Sequence, residues 1–165
     1  MKVIKTIRNK RIIVDDEDFD WLNQWKWNTN YKGYAYRIVY SRFNGSRRQH
    51  KVFMARFVIK APVGLQVDHI NRNKLDNRKS NLRLATNGQN QANSGIPKNN
   101  TSGYKGVTWN KKNKKWVAQV ECRVGGKRKN HYLGGFSDIE QAVLIRDKKV
   151  KEIHGEFAYL NKQRI

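Results

Sequence analysis

The chain has 165 residues, with 35 Lys and Arg against 13 Asp and Glu, a formal net charge of +22 and one cysteine. That length holds one ordinary domain or two small ones. The charge argues against a basic partner and for a polyanion, of which nucleic acid is the commonest in a cell. The lone Cys122 excludes an intrachain disulfide and a cysteine zinc cluster. Residues 1–5 lack the apolar core of a signal peptide, and no apolar run approaches the ~18 residues of a membrane span, so no membrane partner and a reducing, cytoplasmic location are expected.

The charge is spread along the chain. Residues 1–92 carry 19 basic and 7 acidic residues, residues 93–165 carry 16 and 6, and both parts are expected to touch a polyanion. Residues 1–60 read as short strands and turns: Arg11–Val14, an acidic cluster (Asp15, Asp16, Glu17, Asp18, Asp20), then an aromatic stretch with Trp21, Trp25, Trp27, Tyr31, Tyr34 and Tyr36. In a small domain such rings serve as core more often than as base-stacking platforms. Asn44-Gly45, between residues 34–43 and 49–59, carries the turn chemistry of a hairpin.

Residues 62–92 are polar and rich in asparagine. Val67-Asp68-His69-Ile70-Asn71 ends an apolar stretch, and Asn81-Leu82-Arg83-Leu84 alternates like a second short strand. Thr86 and Gln89 form the Thr-x-x-Gln of a capping box, predicting a helix with Asn90 one turn inside it. Strand, loop, strand and helix would bring Asp68, His69, Asn81 and Asn90 together. A carboxylate and a carboxamide oxygen are hard donors suited to Mg²⁺ or Mn²⁺. An imidazole beside them can take a proton from water near neutral pH. These are the parts that phosphodiester hydrolysis requires.

The run Val67-Asp68-His69-Ile70-Asn71, with Asp76-Asn77-Arg78, Asn81-Leu82-Arg83, Thr86, Asn90 and Asn93, resembles the HNH family of homing-type endonucleases of phages and mobile introns. Val14-Asp15-Asp16-Glu17-Asp18-Phe19, Lys26-Trp27 and Gly33-Tyr34 resemble the leader such proteins carry. The resemblance implies a ββα-metal fold holding one divalent cation, with Asp68 and Asn90 as its ligands, His69 as general base and Asn81 holding the loop that orients the histidine. Asn90 stands where many members have histidine, making this an HNN variant, and Met54-Ala55-Arg56 has alanine where the family has a Met-His-Arg run.

Residues 93–103 have the composition of a linker. In residues 104–161 three β-prone runs (104–109, 116–123 and 129–136) are separated by Asn113-Lys114 and Gly125-Gly126 turns. A helix follows, with Ser137 and Glu140 as its capping box, Ile139, Ala142, Val143, Val150 and Ile153 as its buried stripe, and Gly155 as its end. Ala118, Val120 and Cys122 alternate with Gln119, Glu121 and Arg123, so one sheet face meets the helix and the other is polar.

This module resembles the APETALA2-type DNA-binding domain, through Gly103-Tyr104-Lys105-Gly106-Val107, Lys115-Trp116-Val117-Ala118, Tyr132-Leu133-Gly134-Gly135-Phe136, Glu140-Gln141-Ala142 and the closing Leu160-Asn161. The resemblance implies that the free sheet face lies in the DNA major groove. By position Lys105, Thr108, Asn110, Gln119, Glu121, Asn130 and Tyr132 would face DNA, and strand parity and charge add Arg123 and Arg128.

The expected fold is α+β: a ββα-metal module in residues 1–92, then a three-stranded antiparallel sheet packed on one helix in residues 104–161. The expected function is metal-dependent cleavage of duplex DNA by a monomer or weak dimer with no organic cofactor. The rivals are a non-catalytic, sequence-specific DNA-binding protein that keeps the first module as structure, and an RNA-processing nuclease.

Overall fold

The computed structural model describes residues 1–124 and 127–161, with Arg123 and Val124 as backbone. The backbone forms two compact units that divide after Thr86, ahead of the linker composition at 93–103.

In the first unit β1 (Lys2–Lys5) pairs antiparallel with β2 (Arg11–Val14) and turns Ile4, Ile12 and Val14 into the core. The acidic cluster is the start of a helix, α1 (Asp16–Asn23), rather than a turn. Asp16, Glu17 and Asp18 occupy its first turn, where unpaired N–H groups and the helix dipole favour carboxylates. Leu22 points inward, and the Trp27 indole donates to the Leu22 carbonyl at 2.8 Å.

A three-stranded sheet follows in the order β3-β4-β5: β3 (Asn28–Thr29), β4 (Ala35–Phe43) and β5 (Ser46–Phe53). Asn44 (φ 48°) and Gly45 (φ 73°) close the β4–β5 hairpin with the positive φ pair of a type I′ turn, as Asn-Gly requires. The second arm stops at Phe53, short of residue 59. Met54–Val58 coils into a short helix, α2, because Met54, Ala55 and Val58 then share one buried face. Trp21, Trp25 and Phe57 meet edge to face at 5.2–6.1 Å, and Trp27 is fully buried. The aromatic stretch is thus chiefly core, with Tyr31 as an exposed exception.

Next, β6 (Gln66–His69) and β7 (Leu82–Ala85) pair antiparallel. The loop between them is tied to β2, because Ile13 donates to the Leu75 carbonyl and Asn77 to the Ile13 carbonyl, both at 2.8 Å. It is also tied to α1: the Lys79 amide bonds Asp15 at 2.7 Å, and its ammonium reaches Glu17 and Asp18. The acidic helix start therefore anchors the loop.

The second unit opens with α3 (Asn87–Ala92), which follows Thr86 as the capping signal predicts and carries Asn90. An antiparallel sheet in the order β10-β9-β8 comes after it: β8 (Val107–Asn110), β9 (Lys115–Val124) and β10 (Lys127–Phe136). Ala118, Val120 and Cys122 are buried under α4 (Ile139–His154), whose own buried residues are Ala142, Val143, Arg146 and Val150. The cap of α4 is Asp138 rather than Ser137. Its carboxylate accepts from the Glu140 and Gln141 amides at 3.1 and 3.3 Å, because the N-cap oxygen must lie within reach of the second and third helical N–H groups. Gly155 ends the helix at φ 53°.

Gly106 is fixed by packing as well as by its φ of 76°, since a Cβ there would lie 2.6 Å from the Gln119 carbonyl oxygen. The closing Asn161 bonds both the Lys105 backbone and Asp147, and so seals the module. Among the described residues no helix is long and apolar enough to cross a membrane.

Candidate active site

Pairing of β6 with β7 places Asp68 opposite Arg83 and His69 opposite Leu82. Asp68 and His69 are each 4% exposed. The Arg83 guanidinium donates to Asp68 Oδ2 through Nε at 2.9 Å and Nη2 at 2.8 Å. Such a pair offsets the cost of burying the carboxylate and holds it in one orientation.

His69 Nε2 lies 3.4 Å from the Asn77 side-chain oxygen, and the Tyr34 ring packs against the imidazole at 5.9 Å between centroids. An amide oxygen can only accept, so this contact selects the tautomer with hydrogen on Nε2 and makes Nδ1 the basic nitrogen. Burial pushes the His69 pKa below its usual 6.5. The Asn77 contact and the Asp68 and Asp76 charges pull it up, and Lys74 pushes it down. The direction is downward, so His69 is neutral at pH 7, as a base must be.

The loop that holds Asn77 is a closed polar network. Asn81 accepts from the Asn71 amide at 2.9 Å and donates to the Asp76 carbonyl at 2.8 Å. Its own carbonyl accepts from Ile70. Asp76 is gripped by Arg78 (2.8 and 2.7 Å) and Asn71 (2.8 Å), and the Arg78 bond holds the Asp76 carboxyl below the usual carboxylate range. Asn77 is buried, and its amide nitrogen has no hydrogen-bond partner among the described residues. Side chains of this kind in a folded core are few.

Asn90 lies half-buried on α3 of the second unit. Among the described residues no three His, Cys, Asp or Glu side chains gather around a common point. Taken by itself, the Asp68 carboxylate is a hard donor that fits Mg²⁺ or Mn²⁺, and so is a carboxamide oxygen such as that of Asn90.

The sheet residues share one face. The register pairs Tyr132 with Gln119, Asn130 with Glu121 and Arg128 with Arg123, while Thr108 and Asn110 extend the same face from β8. Asn130 donates to Gln119 at 3.0 Å, and Arg128 forms an ion pair with Glu121. The Asn110 side chain accepts from the Asn113 amide at 3.1 Å. Tyr132 is 69% exposed. The Arg123 side chain and the Gly125-Gly126 turn lie outside the described residues.

The Lys105 ammonium bonds the carbonyls of Gln91, Ala92 and Ser94 at the end of α3 and lies over the Tyr159 ring. Sequence reasoning left Arg83 and Asn77 without roles. An acid and a base facing each other across two short strands was the available signal for Arg83, once the register is known. For Asn77, which sits eight residues beyond the histidine on an irregular loop, there was none.

The HNH endonuclease family model matches residues 47–92. Protein 3.8 of Escherichia phage T7 is 34% identical over 122 residues, covering 74% of this chain and 97% of that protein. A protein of Acanthamoeba polyphaga mimivirus named Uncharacterized HNH endonuclease L560 is 34% identical over 147 residues, covering 86% of this chain and 72% of that protein. Dehydration-responsive element-binding protein 2E of Oryza sativa subsp. japonica is 37% identical over 70 residues, covering 41% of this chain and 20% of that protein, a partial match consistent with the APETALA2-type resemblance. No solved structure matches the chain significantly. Together with the Asp68-His69 pair on β6, these similarities show that the chain belongs to the HNH endonuclease family and is a DNA endonuclease.

Proposed function

We propose that the protein hydrolyses phosphodiester bonds of duplex DNA with His69 as general base, using a divalent cation, Mg²⁺ or Mn²⁺, held by Asp68 and Asn90 in a ββα-metal site. The observation that carries this reading is His69 itself: buried, kept neutral at pH 7 by that burial, and bonded at Nε2 to Asn77. When bound, the cation would stabilise negative charge on the phosphate and the leaving oxygen. His69 Nδ1 takes the proton from the attacking water. Asn77 keeps the imidazole in the tautomer this transfer needs, and Tyr34 limits rotation of the ring. Arg83 holds the Asp68 carboxylate in place, and Asn81 locks the loop that carries Asn77.

The functional modules are residues 1–92 and 104–161, and the second is an APETALA2-type DNA-binding domain. The polar face of its sheet, with Thr108, Asn110, Gln119, Glu121, Arg123, Arg128, Asn130 and Tyr132, supplies affinity and register on the duplex. The protein acts in the cytoplasm of the cell where its gene is expressed, as a homing-type enzyme of a phage or mobile element, and as a monomer or weak dimer.

Incubation with supercoiled plasmid tests the chemistry. Relaxed or linear product should form with Mg²⁺ or Mn²⁺ and disappear with EDTA. Intact plasmid under every metal would leave the non-catalytic DNA-binding reading. For the sheet, Asn130→Ala with Tyr132→Ala should weaken duplex binding at least tenfold, about 1.4 kcal/mol or more, and leave cleavage at saturating protein unchanged. Equal affinity of variant and wild type in a gel-shift titration would remove the face from DNA recognition.

A further inference from the structure

Helix α3 carries Asn90, yet little in its own sequence would make it a helix. Its six residues, Asn87-Gly88-Gln89-Asn90-Gln91-Ala92, include a glycine and two asparagines, which are poor helix formers, and none of the six is buried. A helix this short is unstable by itself and depends on tertiary support. The HNH motif groups α3 with β6 and β7, but the backbone divides after Thr86 and places it in the second unit. There it contacts β9 and the short turn Gly155–Phe157.

Lys105 closes the carbonyl end of this helix. Its ammonium lies within hydrogen-bonding distance of the carbonyls of Gln91 (3.2 Å), Ala92 (2.9 Å) and Ser94 (2.6 Å) and of the Ser94 hydroxyl (3.1 Å). A helix leaves its last carbonyls unpaired, and its dipole favours a cation there. The lysine is itself held from both sides. Its amide donates to the Asn161 side chain at 2.8 Å, and Asn161 is bonded in turn to Asp147 of α4. The next residue, Gly106, accepts from the Gln119 amide of β9 at 2.9 Å. Lys105 therefore ties α3 to both the sheet and the helix of the second module, and the residue it grips first, Gln91, directly follows Asn90.

We infer that Lys105 is a positioning residue of the cleavage site: it keeps α3 folded and so holds Asn90 where Asn90 can serve as a ligand of the cation. The second module then completes the metal site as well as binding DNA. The inference rests on the proposed role of Asn90 as a ligand. In this role Lys105 touches neither cation nor substrate; it acts through the helix backbone, as outer-shell partners of metal ligands do.

The test is Mn²⁺ binding by the full chain without DNA, read from the electron paramagnetic resonance signal of free Mn²⁺. Lys105→Met keeps an apolar stem beside Tyr159 and deletes the donors. It should weaken Mn²⁺ binding by roughly 10- to 100-fold, and Lys105→Arg, which keeps donors and charge, should retain most of the affinity. Adding Gly88→Ala to Lys105→Met should recover part of the loss, because alanine favours the helix and a Cβ at residue 88 meets nothing within 4 Å. In EDTA, the Asn93 and Ser94 amides, which bond back to Gln89 and Gln91, should exchange faster in Lys105→Met, while duplex affinity stays close to wild type. Asn90→Ala separates the two claims. Unchanged Mn²⁺ binding in that variant would remove Asn90 as a ligand, whereas a loss there with none in Lys105→Met would overturn the inference about Lys105 alone. Unchanged exchange at Asn93 and Ser94, with duplex affinity falling as far as Mn²⁺ affinity, would also overturn it and make Lys105 a DNA contact.

Discussion

Replacing His69 with alanine should lower the rate of plasmid cleavage about 10³-fold, the usual worth of a well-placed general base, while duplex binding in EDTA stays within twofold of wild type. No other described side chain combines burial at this site, neutrality at pH 7 and a fixed tautomer. The pH profile follows from the same environment. Burial lowers the His69 pKa below 6.5, so the neutral base predominates at pH 7 and above and is lost as pH falls through the shifted value. A cation on the adjacent Asp68 would push in the same direction. The rate should therefore be level above pH 7 and fall tenfold per pH unit on the acid side, with an inflection under 6.5. Folding stability changes with the same sign: between the folded value and 6.5 the unfolded chain binds this proton more tightly, so stability rises with pH across that window. An inflection above 6.5, or a His69→Ala variant that cuts at the wild-type rate, would remove His69 from the chemistry.

The parts of the fold legible in the sequence were those fixed by local chemistry. Asn44-Gly45 specified its hairpin because only that turn tolerates two positive φ values in a row. Alternation at Ala118, Val120 and Cys122 identified the buried sheet face, and Gly155 the end of α4. The acidic run, placed in a stretch of strands and turns, gave no sign of a helix, yet three of its carboxylates sit at a helix start whose neighbour Lys79, more than sixty residues later, gives them a second use. Position in the motif brought Asp68, His69 and Asn81 to one strand pair and its loop. Their supports, Arg83 and Asn77, depend on register and loop path, which no local pattern encodes. The bonds of the Lys105 ammonium to the end of α3 were likewise not legible, because they depend on how α3 packs.

Loss of the Asn81 side chain should damage the enzyme in two separable ways. Asn81→Ala deletes the bonds to the Asn71 amide and the Asp76 carbonyl and leaves a buried acceptor without its donor. The cost is about 2 kcal/mol, which for a unit of this size lowers the melting temperature by roughly 10 °C. The effect on rate is distinct. The segment from Asn71 to Asn81 holds Asn77 against His69 only while both its ends are tied, and a shift of about 1 Å at a base costs on the order of 10²-fold. At a temperature where the variant is still folded, kcat should fall by that factor with KM little changed, because no DNA contact has been removed. The imidazole nitrogen shifts of His69 in neutral solution should move from those of a single Nε2–H form toward a mixture of tautomers. A variant that melts early yet keeps wild-type kcat when folded would make Asn81 a brace for the loop and nothing more, and would separate the loop's stability from the positioning of the base.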